Sequence, residues 1–111
     1  MKLRLVVAIA LLPALALTAC ADRGASVLTV EGTYSGTTSE SCQLALRVAG
    51  SQELVDAYEL PADFHQDFDV PANKERYSVE VHCPDGKVGF VPAFDFEPPR
   101  MKITLNNIEL N

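Results

Sequence analysis

Residues 77–83 read YSVEVHC and form the most regular stretch of the chain. The odd-numbered positions carry Tyr, Val, Val and Cys, and the even-numbered positions carry Ser, Glu and His. Strict alternation of this kind is typical of a β-strand with one face buried and the other in water. The stretch therefore predicts a strand whose apolar face, ending at Cys83, packs into a core.

The same alternation recurs on both sides of this strand. Pro84-Asp85-Gly86 follows it as a tight turn, with proline and glycine where a turn needs them. Apolar faces are expected at Leu28, Val30 and Tyr34, at Cys42, Leu44, Leu46 and Val48, and at Phe64, Phe68 and Val70. Val88, Phe90, Phe94 and Phe96 supply the next strand, and Ile103, Leu105, Ile108 and Leu110 supply the last.

Three places depart from simple alternation. Residues 51–60 suit either a short helix or a strand that leads into Pro61. Pro92 marks a sheet edge or a bulge, because proline cannot donate to a strand ladder. The parity of the last strand changes between Leu105 and Ile108, which predicts a bulge near Asn106-Asn107.

Seven or so short strands separated by turn signals are typical of a small antiparallel β-sandwich, with a small β-barrel as the alternative. We expect a single domain over residues 27–111, since a chain of this length has room for one core.

The N-terminus has the composition of a secretory signal. Lys2 and Arg4 precede an apolar run over residues 5–17, which is too short for a membrane span of about 20 residues. The segment ends Leu17-Thr18-Ala19-Cys20, which resembles the lipobox of bacterial lipoproteins. The resemblance implies that residues 1–19 are removed as a signal peptide, and that Cys20 carries a diacylglycerol on its sulfur and is usually acylated, for example with palmitate, on its new amine.

The residues around the lipobox also predict where in the cell envelope the protein is located. Ala21, in place of aspartate, favours the outer membrane by resemblance to the enterobacterial sorting rule, with the domain facing the periplasm. Residues 20–26 form a lipidated terminus and a short tether, which reaches only about 20 Å at 3.3 Å per residue. The membrane is thus one expected partner, and the domain should lie close to its surface.

The chain has three cysteines, and lipidation of Cys20 leaves Cys42 and Cys83. An even pair in an oxidising compartment indicates one disulfide. Both residues fall in register with the apolar face of their strands, so we expect a buried bond between them.

Residues 64–86, FHQDFDVPANKERYSVEVHCPDG, resemble the recurring unit of transthyretin-like sandwiches, which include the regulatory-type domains of carboxypeptidases. In that unit a strand ending in f-x-v-P turns into Y-x-v-x-v. The glycine-rich segment that often precedes it in the family is replaced here by Leu60-Pro61-Ala62-Asp63. The resemblance implies a transthyretin-like or immunoglobulin-like sandwich, and a binding or structural role.

Charge excludes one class of partner. Without residues 1–19 the chain keeps seven Lys and Arg and fifteen Asp and Glu, a net charge of −8. Nucleic-acid binding needs a basic surface, so we expect no nucleic-acid partner.

No catalytic motif stands out, and we expect neither an enzyme nor a cofactor. His65 and His82 are the only histidines, and alternation turns His82 away from Cys83, so no metal site is assigned. The acidic stretch Asp56, Glu59, Asp63, Asp67 and Asp69 lacks the residue order of a calcium loop. Phe90, Phe94 and Phe96 are core residues or, where exposed, a partner surface.

These observations predict a membrane-anchored envelope lipoprotein with a non-catalytic binding or structural role and a protein partner in the envelope. Two alternatives stay open. One is a periplasmic metal-binding carrier. The other is an inhibitor of host lysozyme-type enzymes, because residues 77–90 resemble the Y-x-C-x-x-G opening of membrane-bound lysozyme inhibitors; the Ser-Gly loop of that family has no match, since Tyr34-Ser35-Gly36 has the wrong order.

Overall fold

The computed structural model describes residues 26–111. The signal segment, Cys20 and the tether up to residue 25 lie outside the described residues, so what the sequence predicts for them stays a prediction. The part of the chain that the structure describes has no helix long and apolar enough to cross a membrane.

Seven strands form two sheets, which confirms the predicted β-sandwich, and the sheets do not close into a barrel. The strands are β1 (Ser26–Ser35), β2 (Ser41–Val48), β3 (Leu54–Pro61), β4 (Asp63–Val70), β5 (Glu75–His82), β6 (Val88–Phe96) and β7 (Arg100–Glu109). One sheet has the order β4-β1-β7, and the other has the order β3-β2-β5-β6. In constant-type immunoglobulin domains the first, second, fifth and fourth strands share a sheet, so the strand order here is a different one.

Every strand pair is antiparallel except one. β7 runs parallel to β1, because the chain leaves β6 and crosses to the other sheet before it continues. The sheet β4-β1-β7 is therefore mixed, with β1 at its centre.

The strand directions define two ends of the sandwich. β1 begins at the end that also holds loops 49–53, 71–74 and 97–99, and we call this the proximal end. The opposite end, which we call the distal end, holds loops 36–40 and 83–87. A tether that precedes Ser26 thus joins the domain at its proximal end.

The core lies between the sheets and follows the alternation of the sequence. The three apolar faces expected on β1, β2 and β4 are buried almost throughout, and so is the face of β5; only Val48 among them is partly exposed. Aromatic rings meet edge to face across the core, with centroids 5.4 Å apart for Tyr58 and Phe68 and 5.9 Å apart for Tyr77 and Phe96. Such contacts add to the stabilisation from burial of the rings.

The structure decides the ambiguous segment at residues 51–60. From Leu54 onwards it is strand β3, not a helix, and it pairs antiparallel with β2. A register shift occurs opposite Leu46 and Arg47, so that Leu54 lies outward and is half exposed. This bulge breaks the alternation, which is why the sequence pattern is mixed there.

Both irregularities predicted from the sequence are present. The pairing of β1 with β7 shifts between Gly32–Leu105 and Tyr34–Ile108, which places a bulge at Asn106-Asn107. Pro92 lies in β6, an edge strand, where the pairing with β5 also shifts register. Proline is tolerated there because its missing N–H faces no partner strand.

The predicted disulfide is present between Cys42 and Cys83. It joins β2 to the residue that follows β5, within one sheet, across a Cα–Cα distance of 4.4 Å. Both residues are buried, as their register with the apolar face predicted. Closing a loop of this length stabilises the fold by about 4 kcal/mol in the chain-entropy model.

Hydrogen bonds tie the two sheets together along both sides. On one side Tyr34 donates its hydroxyl to the carbonyl of Leu60, at 2.8 Å, and its N–H to the carbonyl of Ala62, at 3.0 Å. On the other side Val88 and Asn111 exchange two backbone hydrogen bonds of 3.1 and 2.9 Å. These bonds satisfy backbone groups where the chain passes between sheets.

Gly32 shows how closely β7 approaches β1. A Cβ atom on Gly32 would collide with the backbone carbonyl oxygen of Leu105, on the side of the bulge. We expect Gly32→Ala to lower the free energy of unfolding by about 1–3 kcal/mol, the usual cost of overpacking. Urea unfolding of the purified protein measures it.

Gly50→Ala is the matched control. A Cβ there has open space around it, and the expected change lies within about 0.5 kcal/mol. Equal unfolding midpoints for the two variants would contradict the close approach of β7.

Candidate functional site

The three phenylalanines of the predicted partner surface do not share a face. Phe90 is 65% exposed on the outer face of the four-stranded sheet, whereas Phe96 is buried in the core and Phe94 packs partly against it. The bulge at Pro92 separates them, because it reverses the parity of β6 so that Phe94 lies opposite inward-facing Tyr77. Phe90 is the one of the three that a partner could reach fully.

The two histidines lie on different sheets. His65 is on the outer face of β4 and His82 is on the outer face of β5, so the core separates them. Among residues 26–111 no three His, Cys, Asp or Glu side chains converge as metal ligands. The structure therefore does not bring His65, His82 and Cys83 together.

The acidic stretch between residues 56 and 69 is divided between three surfaces. Glu59 accepts a hydrogen bond of 2.7 Å from the Ser41 hydroxyl on β2. Asp63 and Asp67 lie on the outer face of β4, where the Thr29 hydroxyl donates to Asp67 at 2.6 Å. Only Asp56 and Asp69 come together, at the proximal end of the domain.

They meet in an open groove of about 820 Å³. The groove lies between the β2–β3 connection on one side and the end of β4 with the start of β5 on the other. Apolar side chains form much of its lining: Val48, Leu54, Val55, Val70 and Tyr77. We call this feature the proximal groove.

Four carboxylates border the proximal groove, and its lining includes no lysine or arginine. They belong to Glu53, Asp56, Asp69 and Glu75, and none of the four takes part in an ion pair within residues 26–111. Asp56 accepts a hydrogen bond of 3.0 Å from the Tyr58 hydroxyl, which raises the pKa of that tyrosine. The negative charge of the groove thus remains available to an incoming cation.

Tyr77 connects the groove to the core. It lines the groove and is only 1% exposed. Burial raises the pKa of its hydroxyl, and the negative charge of Glu75 adds to the effect. The Tyr77 phenol therefore stays neutral, and its side chain forms part of the core at the base of the groove.

The neighbouring cations are already paired. Lys74 lies 3.7 Å from Glu97, and Arg76 lies 3.1 Å from Asp95, on the side of the proximal end formed by β5 and β6. These exposed pairs contribute little stability. Because these two cations are paired with Glu97 and Asp95, they do not neutralise the groove carboxylates.

A second cluster lies on the outer face of the four-stranded sheet. The Arg47 guanidinium Nε donates to Glu80 Oε2 at 2.9 Å, and His82 Nε2 lies 3.3 Å from the same oxygen. The His82 ring meets the Phe90 ring edge to face, with centroids 6.3 Å apart. The hydrogen bond from Arg47, aided by His82, holds the pKa of Glu80 below its usual value.

Neither histidine lines the proximal groove, and its ionisable side chains are the four carboxylates and the Tyr77 hydroxyl. A concave surface with an apolar lining and convergent polar groups is the usual form of a recognition site. Acidic groups on an apolar surface favour a cationic, partly apolar ligand.

Sequence reasoning found two of the four groove carboxylates and missed the groove itself. Glu53 and Glu75 stand alone in the sequence, and they approach Asp56 and Asp69 only because β3 and the β4–β5 turn meet at one end of the sandwich. A signal for the groove was present at Leu54. This residue follows a turn, and the residues after it do not alternate regularly, so the pattern does not assign its side chain to the core; in the structure it is half exposed.

No protein-family profile matches this sequence, and no curated protein sequence matches it. The functional argument therefore rests on the residues of the chain and their geometry.

Glu80 makes a pH-dependent contribution to stability. Its pKa in the folded protein is lowered, so its contribution is present above the ordinary value of about 4.5 and is lost as the pH falls through the folded pKa. Glu80→Gln should therefore lower the free energy of unfolding by about 1.5 kcal/mol at pH 7, because a charge-assisted hydrogen bond is lost. This difference from the native protein should shrink as the pH falls towards 3.

Urea unfolding at a series of pH values measures the difference. Glu40→Gln, in the exposed loop 36–40, is the control and should show only a small difference at pH 7. A gap between Glu80→Gln and the native protein that is the same at pH 7 and pH 3 would refute the assignment.

Proposed function

We propose that this protein is a lipid-anchored, non-catalytic binding protein of the bacterial envelope, and that the proximal groove receives a basic segment of a protein partner. The observation that carries the binding role is the coincidence, in one groove, of a partly apolar lining and four carboxylates that form no ion pair within residues 26–111. The lipobox-like Leu17-Thr18-Ala19-Cys20 carries the anchoring role.

Electrostatics support a cationic partner. Four carboxylates border the groove, whose lining within residues 26–111 includes no lysine or arginine, so they repel one another until a positive charge arrives. The exposed half of Leu54 favours a partner that also brings apolar side chains. A peptide segment in which lysine or arginine alternates with an apolar residue meets both conditions.

The position of the groove supports a partner near the membrane. The groove lies at the end of the sandwich where β1 begins, and five residues separate Cys20 from Ser26. A lipid on Cys20 would hold the groove within about 20 Å of the bilayer surface. The partner segment is then one that lies close to the inner face of the outer membrane.

We also propose that the sandwich is of the transthyretin-like class. The segment that carries the resemblance, residues 64–86, forms β4, a turn and β5, and it crosses from one sheet to the other. This crossing makes the segment a structural unit of the sandwich, which supports the proposal. The inhibitor and metal-carrier alternatives gain no such support from an observed feature.

The groove is tested with a defined probe. Purified mature lipoprotein in detergent is titrated into a fluorescently labelled peptide of alternating lysine and leucine, and binding is followed by anisotropy. The variant with Glu53→Gln, Asp56→Asn, Asp69→Asn and Glu75→Gln should bind at least about tenfold more weakly, because each charge pair is worth a few tenths of a kcal/mol or more. Binding should also weaken with added salt.

A matched variant separates the groove from the overall charge. Glu40→Gln, Glu59→Gln, Asp63→Asn and Glu109→Gln also remove four carboxylates, all of them exposed and outside the groove lining. We expect this variant to keep most of the affinity. Equal weakening by both variants would mean that only net charge matters, and the groove proposal would fail.

Anchoring is tested at Cys20. In a bacterium that processes lipoproteins, the native precursor should yield a mature chain that begins at Cys20 and carries acyl groups, whereas Cys20→Ser should yield an uncleaved chain without them. Mass spectrometry of the N-terminal peptide distinguishes the two. Cys42→Ser with Cys83→Ser is the control and should keep the lipid; acylation of the Cys20→Ser chain would contradict the proposal.

A further inference from the structure

The edge strand β4 is unusually regular. It pairs with β1 over eight consecutive positions without a register shift, and it contains no proline or glycine. The other edges are interrupted: β3 by a bulge and Pro61, β6 by a bulge and Pro92, and β7 by the bulge at Asn106-Asn107. A regular edge presents a row of backbone N–H and C=O groups to which another strand can add.

The part of β7 before its bulge has a complementary pattern. Over residues 100–105, Arg100, Lys102 and Thr104 lie outward, whereas Met101, Ile103 and Leu105 are partly buried against the core. β4 carries Asp67 and Asp69 outward, and Phe64 and Phe68 inward. One free edge of the three-stranded sheet therefore carries acids on its outer face, and the opposite free edge carries Arg100 and Lys102, of which Lys102 lies 3.9 Å from Glu31 of β1.

The two edges are matched in height along the domain. Thr29 of β1 pairs with Asp67 on one side and with Lys102 on the other, which places these two side chains at one level. Val27 likewise pairs with both Asp69 and Arg100. Two copies that stand side by side at equal height would thus place acids opposite bases.

The proposed lipid anchor would place neighbouring copies at the same height above the membrane. Lipids on Cys20 of two copies in one leaflet would hold both proximal ends at the same membrane surface, and the pairing takes both domains to stand with β1 pointing away from the bilayer. β4 and β7 run in opposite directions, so β4 of one upright copy meets β7 of the next as an antiparallel pair. An antiparallel pair of two β4 strands would invert one copy, and a parallel pair would turn the core faces of the two copies to opposite sides of the joined sheet.

We propose that this lipoprotein associates with further copies of itself on the membrane, through antiparallel pairing of β4 in one copy with β7 in its neighbour, with Asp67 opposite Lys102. The sheet β4-β1-β7 then continues from copy to copy, and its apolar face continues with it. Contacts between unlike edges repeat from one copy to the next, so the assembly is a row or a ring in the plane of the membrane. Anchoring concentrates the copies and favours a pairing that would be weak in solution.

The inference rests on the proposed lipid anchor, and the experiment tests both separately. Two lipoprotein variants, Asp67→Cys and Lys102→Cys, carry tags of different size and are reconstituted together into phospholipid vesicles, which are then floated on a density gradient. Under mild oxidation we expect a disulfide-linked dimer of the two tags in the mixture, and little from either variant alone. The native Cys42–Cys83 bond remains as an internal reference.

A register control uses Asp67→Cys with Thr104→Cys, which lies on the same face of β7 but two residues further along. This pair should cross-link at least about fivefold less, because a disulfide bridges only Cα atoms within about 7 Å. Equal cross-linking of the two pairs would mean random collision and would overturn the pairing.

Charge reversal gives a second readout that needs no cysteine. Energy transfer between labelled copies on vesicles should fall to the level of unassociated lipoprotein for Asp67→Lys alone and for Lys102→Asp alone. A mixture of these two variants restores an acid opposite a base at every contact, so transfer should return. If the mixture transfers no better than either variant alone, the pairing is wrong.

Flotation distinguishes a failure of the proposed anchor from a failure of the proposed pairing. A protein that floats with the vesicles but gives neither the mixed dimer nor the rescue refutes the β4–β7 pairing and leaves the anchor intact. A protein that does not float refutes the proposed anchor, and with it the equal height on which the pairing depends.

Discussion

The pairing of β2 with β5 at the centre of the four-stranded sheet is the interaction on which the rest of the structure depends. It places Leu44 opposite Val81 and Leu46 opposite Val79, all facing the core. The Cys42–Cys83 disulfide closes this pair at its distal end, where the two Cα atoms are 4.4 Å apart. A slip by one residue would turn every one of these side chains to the solvent, so burial and the covalent bond enforce the same register.

The other strands are positioned by this pair. β3 and β6 add to its two sides, and each then sends the chain across to the second sheet. β1 becomes the centre of that sheet, with β4 on one side and β7 on the other. Its pairing with each of them fixes which residues of β4 and β7 lie at the same height. The proximal groove lies where the strands diverge at the end opposite the disulfide, so it lacks that covalent closure.

The two ends of the sandwich differ in whether their carboxylates are paired. At the distal end the Thr37 hydroxyl donates to Asp85 at 2.6 Å, and this bond lowers the pKa of that carboxyl. Polar groups of the two distal loops therefore hydrogen-bond to each other. At the proximal end, four carboxylates face an apolar groove with no ion pair among the described residues. This contrast is the physical reason for placing the proposed binding role at the proximal end, next to the proposed anchor.

The sequence by itself determined the class of fold, most of the core, the disulfide and two bulges, because alternation and parity are local properties. The YSVEVHC stretch alone places Tyr77, Val79, Val81 and Cys83 on one buried face, and the parity change after Leu105 locates the bulge at Asn106-Asn107. Local pattern failed where a bulge interrupts it, as in β3, and in β6, where Pro92 separates exposed Phe90 from buried Phe96. Only the tertiary structure decided the strand order, the parallel entry of β7, the proximal groove and the matched heights of Asp67 and Lys102. Each of these depends on strands that are distant in the chain and are brought together by burial of a shared core, which no window of sequence contains.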